Sequence, residues 1–496
     1  MDNVHRQKAW SLLTWALVLL IVALGVFMRV YGLSGEAPHG EEVSSLRHIG
    51  APNAAAYFRN LHRFNPEMVP VYFLLQYAWW QLSHGNLVAV RLLSVAFGIA
   101  CIPLAFLFAR RYFGATAGIV AALCIAFSFP LAKAHQEIRM YALFYFLTLL
   151  SAYSLFLGLD TDRKGWWLVH GVCNTLLVWT HIMSVLFLLV EGLLLAVLWR
   201  HHRRRLLLWY AVHAIWTAML IVWILVSWAG LRRTSNWIRE PTLTSLLDAL
   251  LQGGVTPCPG AEWLPRVLQG FLLALVLWLL LRASGLVRRP DAQTEPHVSP
   301  GHASVLSFLF LWLTVPSLVL FVLSLTWKSC FAARYTLHSA QALYLIAGAG
   351  VAALPTRFLR TLAVALLAVA YGYHAMLVPR PLRPDWCAIA SQIENERRPE
   401  DSVIVYKVYS TQVLCFVSPT LAPDVQNAPE YADIQRAIRP ETRENHTAWV
   451  VVNSQAHVTQ FENHLNRWGE TWDARTFRQG WPYGIVALYR FGTAQE

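Results

Sequence analysis

Long apolar runs separated by short polar breaks dominate this sequence and constrain its fold more than any other feature. Many of the runs are roughly 18 to 24 residues long, which is the length of helix that crosses the apolar core of a bilayer. Only 14% of the 496 residues are charged, whereas soluble globular domains usually carry about 25%. Several tryptophans lie near the ends of the runs, for example Trp10, Trp166, Trp228 and Trp327. This position is typical of membrane proteins, because indole rings prefer the membrane–water interface. The sequence therefore predicts a polytopic membrane protein.

The runs predict about eleven transmembrane helices. Arg6 and Lys8 precede the first run, which is too long for the apolar core of a cleaved signal peptide, so we interpret it as an uncleaved span. The predicted spans are 9–31, 88–109, 115–132, 140–159, 165–180, 183–199, 206–229, 264–284, 303–326, 335–354 and 358–378.

A further apolar segment, 67–83, is short and interrupted by polar side chains, and its placement decides the topology. If it does not span, the basic clusters alternate correctly and lie inside, with Arg232/Arg233 as the exception. If it spans, three of these clusters move to the side opposite the basic N-terminus. We therefore predict an amphipathic or re-entrant juxtamembrane helix. The clusters placed inside are Arg6/Lys8, Arg110/Arg111, Arg163/Lys164, Arg200 with Arg203–Arg205, Arg288/Arg289 and Arg357/Arg360.

This topology leaves most of the polar sequence that is not simply basic on the outer side of the membrane. We therefore expect the function to lie on that side, and we expect the membrane to be a bacterial inner membrane. The outer segments are the first loop (32–87), the loops at 133–139, 230–263 and 327–334, the turn near 181 and the tail from 381.

The tail, 381–496, has no run long enough to span and mixes charged, polar and apolar residues. Segments 402–406, 448–452 and 485–489 read as buried strands, and segments 386–397 and 458–468 read as helices. These elements predict a small extracytoplasmic α/β domain, separate from a membrane domain over 1–380. Cys387 and Cys415 lie in this tail, and whether they pair is left open.

The net charge of +12 would suggest nucleic acid as a partner of a soluble protein. Here most of the arginines lie between apolar runs, where they set the topology, so we expect no nucleic-acid partner.

Two short segments concentrate ionisable side chains on the outer side. The first contains His39, Glu41 and Glu42, and its alternative interpretation is a solvated loop. The second joins two spans and contains Lys133, His135, Glu137 and Arg139. Ionisable groups near membrane depth are costly and are usually paired or functional. The alternative is a helix–helix turn with a Glu137–Arg139 surface pair.

Two spans add further candidates at their outer ends. His181 follows Thr180, although a lone histidine is often structural. Arg334 and Tyr335 open another span, where an arginine can simply anchor the helix by snorkelling. Carboxylates and cations on one face suit a lipid-linked phosphate substrate, because cations hold phosphate and a carboxylate takes a proton from an acceptor hydroxyl.

These residues resemble motifs of the GT-C membrane glycosyltransferases, near the bacterial protein O-mannosyltransferases and aminoarabinose transferases. That family has an acidic motif in its first outer loop and a second motif about a hundred residues later. Here Glu41 and Glu42 precede Glu137 by 96 and 95 residues (137 − 41 and 137 − 42), although the first motif is usually Asp-Glu. The other matching segments are 65–66, 90–94, 110–114, 136–143, 180–181, 237–242, 334–335 and 385–386.

The resemblance implies a GT-C-like helical bundle that transfers a sugar, with inversion, from a polyprenyl-phosphate donor to a glycan, lipid or protein. It implies Glu41 or Glu42 as the general base and Glu137 as an orienting group. Lys133, Arg139 and Arg334 are then expected to bind the donor phosphate, with His181 lining the cavity. His39 and Tyr335 are expected among the substrate contacts. A divalent metal is compatible with the resemblance but not required by it.

Two alternatives remain open from the sequence. A transporter or flippase for a lipid-linked glycan would have discontinuous spans and paired ionisable groups near the midplane. A membrane assembly factor without enzymatic activity would use its tail to bind a partner.

Overall fold

A computed structural model describes the greater part of the chain. The predicted segments around Arg232/Arg233 and Arg288/Arg289 lie outside the described residues, as do positions 237 and 239 of segment 237–242. The residues described are 2–34, 37–66, 68–228, 238, 240–251, 261, 263–284, 300–377, 385–438, 447–468, 473–478 and 485–491.

Helices make up nearly all of the regular structure before residue 377, and helices and strands alternate after it. The first helices are α1 (Asp2–Val30), α2 (Gly40–Leu46), α3 (Ala54–Phe64), α4 (Pro70–Leu82), α5 (Leu87–Phe113), α6 (Ala115–Phe127), α7 (Phe129–Gln136), α8 (Tyr141–Thr161), α9 (Lys164–Val178), α10 (Ser184–Val197), α11 (Trp199–Val226), α12 (Leu243–Leu251), α13 (Trp263–Ala283), α14 (Pro300–Thr326), α15 (Ala333–Thr336), α16 (Ala340–Ala352) and α17 (Arg357–Leu377). The tail contains α18 (Trp386–Glu396), β1 (Ser402–Tyr406), α19 (Val408–Val417), β2 (Val425–Ala428), α20 (Tyr431–Ile438), β3 (Ala448–Asn453), α21 (Gln455–Trp468), β4 (Asp473–Arg478) and β5 (Ile485–Phe491).

Each predicted span contains at least one helix, so the chain is an integral membrane protein of mainly helical fold. Among the described residues, seven helices are long and apolar enough to cross a membrane, namely α1, α5, α8, α11, α13, α14 and α17. The pair α6 and α7 is bent by 56° and gives an eighth candidate. Helices α9, α10 and α16 have 15, 14 and 13 residues, fewer than the roughly 17 of a short transmembrane helix. The count of eleven therefore stays a prediction.

The helix predicted within 67–83 is present as α4. It begins at Pro70, which suits the first turn of a helix because proline lacks the N–H that would be unsatisfied there. Its position at the membrane interface stays a prediction.

The bend between α6 and α7 is held by a buried arginine from α1. Pro130 follows the break, and it cannot continue the hydrogen bonds of α6 because it has no N–H. The Arg29 guanidinium donates to the freed carbonyl oxygens of Ile125 and Ala126 at 2.8 and 2.9 Å, and its Nε donates to Nδ1 of His135 at 3.0 Å. Arg29 thus satisfies the carbonyl oxygens at the end of α6. Through His135 it also holds α7, the helix that leads to Glu137.

His135 fits against α5 only because residue 98 is glycine. A Cβ at Gly98 would overlap with the His135 imidazole. We expect Gly98→Ala to displace His135 and to lower the free energy of unfolding by about 1–3 kcal/mol, as overpacking does. Thermal unfolding in detergent measures the change. The matched control is Gly171→Ala, because a Cβ at Gly171 on α9 meets open space. Equal melting temperatures for the two variants would contradict this account.

The tail forms a five-stranded sheet in the order β2-β1-β3-β5-β4. β1 pairs in parallel with β2 and β3, and β5 pairs antiparallel with β3 and β4. One apolar core, which includes Trp386 and Val403, covers one face, and a second, which includes Ile434 and Phe461, covers the other. The small α/β domain is thus confirmed.

By its internal contacts the chain divides into two compact units that differ from the predicted domains in residues 32–50 and in the boundary, which lies at 375/376 instead of 380/381. The first unit is Met1–Tyr31 with Ala51–Ala375, and the second is Gly32–Gly50 with Met376–Glu496. The sequence grouped residues 32–50 with the membrane domain. The structure groups them with the tail, because α2 packs on α19 and buries Val43 in the same core as Trp386.

Candidate active site

The first group of predicted site residues surrounds His181, in the turn between α9 and α10. Its imidazole is 2% exposed and is stacked on Phe144, with ring centroids 5.0 Å apart. Tyr141 and Tyr335 approach the same ring, at centroid distances of 5.5 and 6.0 Å. Three aromatic rings, two from α8 and one from α15, therefore fix the orientation of the imidazole.

The proton position on His181 follows from one backbone contact. The N–H of Met183 donates to Nδ1 at 3.0 Å, so the neutral ring carries its proton on Nε2. Burial lowers the pKa of His181 to about 3, and Arg139, His338 and Arg334 contribute in the same direction. His181 is therefore neutral at physiological pH. Its Nε2 is buried and has no hydrogen-bond partner among the described residues.

Arg139 lies in the short segment between α7 and α8 and is 5% exposed. Its guanidinium lies over the Phe73 ring, 5.9 Å from the centroid, and donates weakly to the sulfur of Met68 at 3.8 Å. Its backbone N–H donates to the Glu137 carbonyl oxygen at 2.7 Å. These two contacts hold the guanidinium beside α4 and the residues that precede it.

Arg334 is the second cation of this group and lies on α15. Its carbonyl oxygen accepts a hydrogen bond from the Tyr145 hydroxyl at 3.3 Å, and its guanidinium lies 5.6 Å from the centroid of the Tyr335 ring. Glu137 and Arg334 both act electrostatically on that hydroxyl. The structure thus brings together Glu137, Arg139, His181, Arg334 and Tyr335, here called the arginine group. Lys133 lies on α7 and is half-buried.

The second group of predicted residues lies on α2 in the second unit. His39 precedes α2, and its backbone N–H donates to Oε2 of Glu42 at 3.0 Å. This contact is the reach-back of a capping carboxylate at the third helical position. Glu41 is half-buried and points about 100° away around the helix. The structure therefore distinguishes two carboxylates that the sequence left equivalent.

Sequence reasoning missed the residues that shape the site around His181. Phe144 and His338 lie inside apolar runs, where an aromatic side chain is normally part of the core. His338 lies 5.1 Å from Phe144, centroid to centroid, and contributes to the electrostatic field at His181. The available signal was an ionisable residue placed at the beginning of a predicted span.

The described part of the chain also contains one cluster of potential metal ligands. His170, Glu191 and His213 have ligand atoms within 4.8 Å of one another, and all three side chains are buried. They lie on α9, α10 and α11, and none of them is a predicted catalytic residue.

Comparison with known proteins gives one family match. Residues 65–228, about a third of the chain, match the family of dolichyl-phosphate-mannose-protein mannosyltransferases. No curated protein sequence matches the chain.

Three solved structures match the chain at low identity. ArnT from Cupriavidus metallidurans in the apo state is 14% identical over 97% of this chain and 98% of that chain, with a TM-score of 0.44. The same protein bound to undecaprenyl phosphate is 13% identical over 98% and 99%, with a TM-score of 0.41. The Archaeoglobus fulgidus oligosaccharyltransferase in complex with Zn and sulfate is 12% identical over 88% and 68%, with a TM-score of 0.47.

The family match confirms the resemblance to the GT-C membrane glycosyltransferases that the motifs indicate. It also confirms the prediction that the chain is a glycosyltransferase. The matched segment includes Lys133, Glu137, Arg139 and His181. Arg334 and the carboxylates of α2 lie outside it.

Proposed function

We propose that this glycosyltransferase moves a sugar from a polyprenyl-phosphate donor to an acceptor hydroxyl on the extracytoplasmic side of a bacterial inner membrane. The acceptor is a glycan, a lipid or a protein. The observation that carries the proposal is the buried Nε2–H of His181 in the field of two arginines. A neutral donor beside two positive charges favours an oxygen of an anion.

The arginine group binds the donor phosphate in this proposal. Arg139 and Arg334 supply positive charge, and His181 donates a hydrogen bond from Nε2. The same groups stabilise the negative charge that develops when the phosphate leaves, and such electrostatic stabilisation is effective in a buried site. Lys133 is a further cation for the phosphate. Glu137 orients the donor or acceptor, and Tyr335 and His39 contact the substrates.

The chemical step is a displacement at the anomeric carbon. Glu41 takes the proton of the acceptor hydroxyl, and the acceptor oxygen forms the new bond to the anomeric carbon. The bond from that carbon to the phosphate oxygen breaks, and polyprenyl phosphate leaves with the electron pair. Attack from the opposite side inverts the anomeric configuration. We prefer Glu41 to Glu42 as the base, because the Glu42 carboxylate accepts the N–H of His39 as a helix cap.

Transport of a lipid-linked glycan is the rival function. The bent pair α6–α7 is the kind of discontinuous helix that transporters use, where freed carbonyl groups bind the substrate or ion. Here the Arg29 guanidinium already donates hydrogen bonds to the carbonyl oxygens of Ile125 and Ala126. The family match and this occupied break both favour the enzyme.

Substitution of His181 tests the phosphate site. We expect His181→Phe to weaken the binding of a polyprenyl phosphate by about 10–100-fold, because it keeps the stacking on Phe144 and removes a hydrogen bond to a charged group. Affinity for undecaprenyl phosphate, measured on purified protein in nanodiscs, gives the change. The control is Phe144→Leu, which alters the stacking and leaves the donor. Wild-type affinity in His181→Phe would refute the proposed phosphate contact.

Transfer itself is tested with the same preparation. Nanodiscs that contain the protein are supplied with radiolabelled polyprenyl-phosphate sugars and with membrane extracts as a source of acceptors. We expect the label to move from the donor to an acceptor fraction and polyprenyl phosphate to be released. Movement of intact donor between leaflets without release of polyprenyl phosphate would support the transporter instead.

A further inference from the structure

A buried polar cluster joins four consecutive helices of the first unit and shares no residue with the arginine group. It contains Ser151 from α8, His170 and Asn174 from α9, Glu191 from α10 and His213 from α11. Ser151, Asn174 and Glu191 are fully buried, and the two histidines nearly so. Because polar groups in a membrane are costly unless satisfied, their hydrogen bonds can be counted proton by proton.

The proton positions on the two histidines follow from their contacts with Trp209. The Trp209 indole N–H donates to Nε2 of His170 at 2.8 Å, so the proton of His170 is on Nδ1, 3.0 Å from the Ser151 hydroxyl oxygen. Nδ1 of His213 lies 2.7 Å from the Trp209 carbonyl oxygen, which can only accept. His213 therefore has a proton on Nδ1, and in the neutral ring its Nε2 is an acceptor.

Asn174 uses both of its amide protons within the cluster. They go to Oε2 of Glu191 at 2.6 Å and to Nε2 of His213 at 2.9 Å. The Asn174 carbonyl oxygen lies 2.6 Å from the Ser151 hydroxyl oxygen, and Oε1 of Glu191 lies 2.8 Å from that same hydroxyl. Ser151 has one proton for two acceptor oxygens, so one more proton is needed.

That proton belongs to Glu191. If Glu191 is a carboxylic acid, it donates to Ser151, and Ser151 donates to the Asn174 carbonyl oxygen, so every contact is satisfied. If the oxygen and nitrogen of the Asn174 amide exchange places, a proton is still required. The Asn174 oxygen then lies 2.6 Å from Oε2 of Glu191, and one of these two oxygens must carry a proton. A carboxylate leaves one close oxygen–oxygen contact without a proton in either orientation.

The groups that face Glu191 support a neutral acid. His170 and Cys173 face it from α9 and His213 faces it from α11, all without positive charge in this arrangement. α8 contributes Ser151, and α14, which also packs on α10, has no ionisable residue between Ala303 and Thr326. The hydrogen bonds and ion pairs of Glu191 within the described residues involve none of the lysines or arginines.

We propose that this cluster is a metal-free proton-binding site that holds α8, α9, α10 and α11 together. A metal ion would need ligand atoms at about 2.0–2.2 Å. The Asn174 amide nitrogen already lies between the three ligand atoms, 2.6 Å from Glu191, 2.9 Å from His213 and 3.3 Å from His170. Removing the proton leaves a buried negative charge with no cation among the described groups that contact it, which opens the junction of the four helices.

Substitution of Glu191 by glutamine tests the proposal, because the glutamine amide copies a protonated carboxyl group. We expect Glu191→Gln to keep the melting temperature and sugar transfer of the wild type. Glu191→Leu leaves Asn174 and Ser151 unsatisfied and is expected to lower the melting temperature by at least about 4 °C. A difference infrared spectrum of wild type against Glu191→Gln at about pH 7 is expected to show the carbonyl stretch of a protonated carboxylic acid.

Three results would overturn the proposal. One is a carboxylate signal in place of the acid carbonyl stretch, and another is loss of stability in Glu191→Gln. The third is a stoichiometric transition metal in the purified protein that disappears in Glu191→Gln. The infrared spectrum keeps the proposal falsifiable even if the leucine variant does not fold.

Discussion

Membranes that contain Glu41→Gln are expected to transfer sugar about 10²–10⁴-fold more slowly than wild-type membranes, because the variant has no carboxylate to accept the hydroxyl proton. The chemical step should fail while the donor still binds, so the turnover number should fall and the affinity for polyprenyl phosphate should not. Single-turnover transfer, measured with equal amounts of folded protein, separates these effects.

The matched control for Glu41→Gln is the same substitution one residue later. Glutamine can replace glutamate as the reach-back group at the third position of a helix, so Glu42→Gln should keep the contact with the His39 N–H. We expect its transfer rate to stay within about threefold of the wild type. Wild-type rates in both variants would exclude the α2 carboxylates as the base. Loss in Glu42→Gln alone would assign the base to Glu42.

Arg139→Gln is expected to reduce transfer by about 10²–10³-fold, the usual cost of removing a group that stabilises charge in the transition state. The variant removes a nearly buried guanidinium from the arginine group and keeps a polar side chain. We expect both weaker binding of the donor and slower turnover, because the phosphate is charged before the reaction and gains charge during it. The dependence of rate on donor concentration measures the two effects separately.

Two further variants serve as controls for Arg139→Gln. Arg139→Lys keeps the charge but loses the planar fork of donors, so we expect only partial recovery of transfer. Arg436→Gln removes an exposed arginine that pairs with Asp433 in the tail, and such surface pairs contribute about 0–1 kcal/mol. We expect Arg436→Gln to leave transfer unchanged. Wild-type turnover in Arg139→Gln would remove this residue from the proposed phosphate site.

The tail shows which strands a sequence can reveal. The three predicted strands are β1, β3 and β5, which lie side by side in the middle of the sheet and are apolar because both of their faces are covered. The two missed strands, β2 and β4, lie at the edges. An edge strand needs less apolar sequence, so Val425–Ala428 and Asp473–Arg478 carry no strong strand pattern.

In the first unit, sequence patterns predicted the helices and the charged segments, but single contacts between distant residues decided the details. Hydropathy predicted 115–132 as one span, but the bend after Phe127 depends on Pro130 and on an arginine 96 residues earlier than Ile125. Charge clustering suggested Glu137 and Arg139, and the outer ends of two predicted spans suggested His181, Arg334 and Tyr335. The proton position on His181 could not be predicted, because it depends on the turn that aims the Met183 N–H at the ring.

The contacts of Arg29 also bear on the order in which the chain enters the membrane. α1 is made first, and the carbonyl group of Ile125 follows 96 residues later. At about 5–20 residues per second, Arg29 exists for roughly 5–20 s before its partners are synthesised. During that interval the guanidinium must reach water at the end of the first span, since isolated charge in lipid is costly. The approach to Glu137 can therefore form only after α6 and α7 have inserted beside α1.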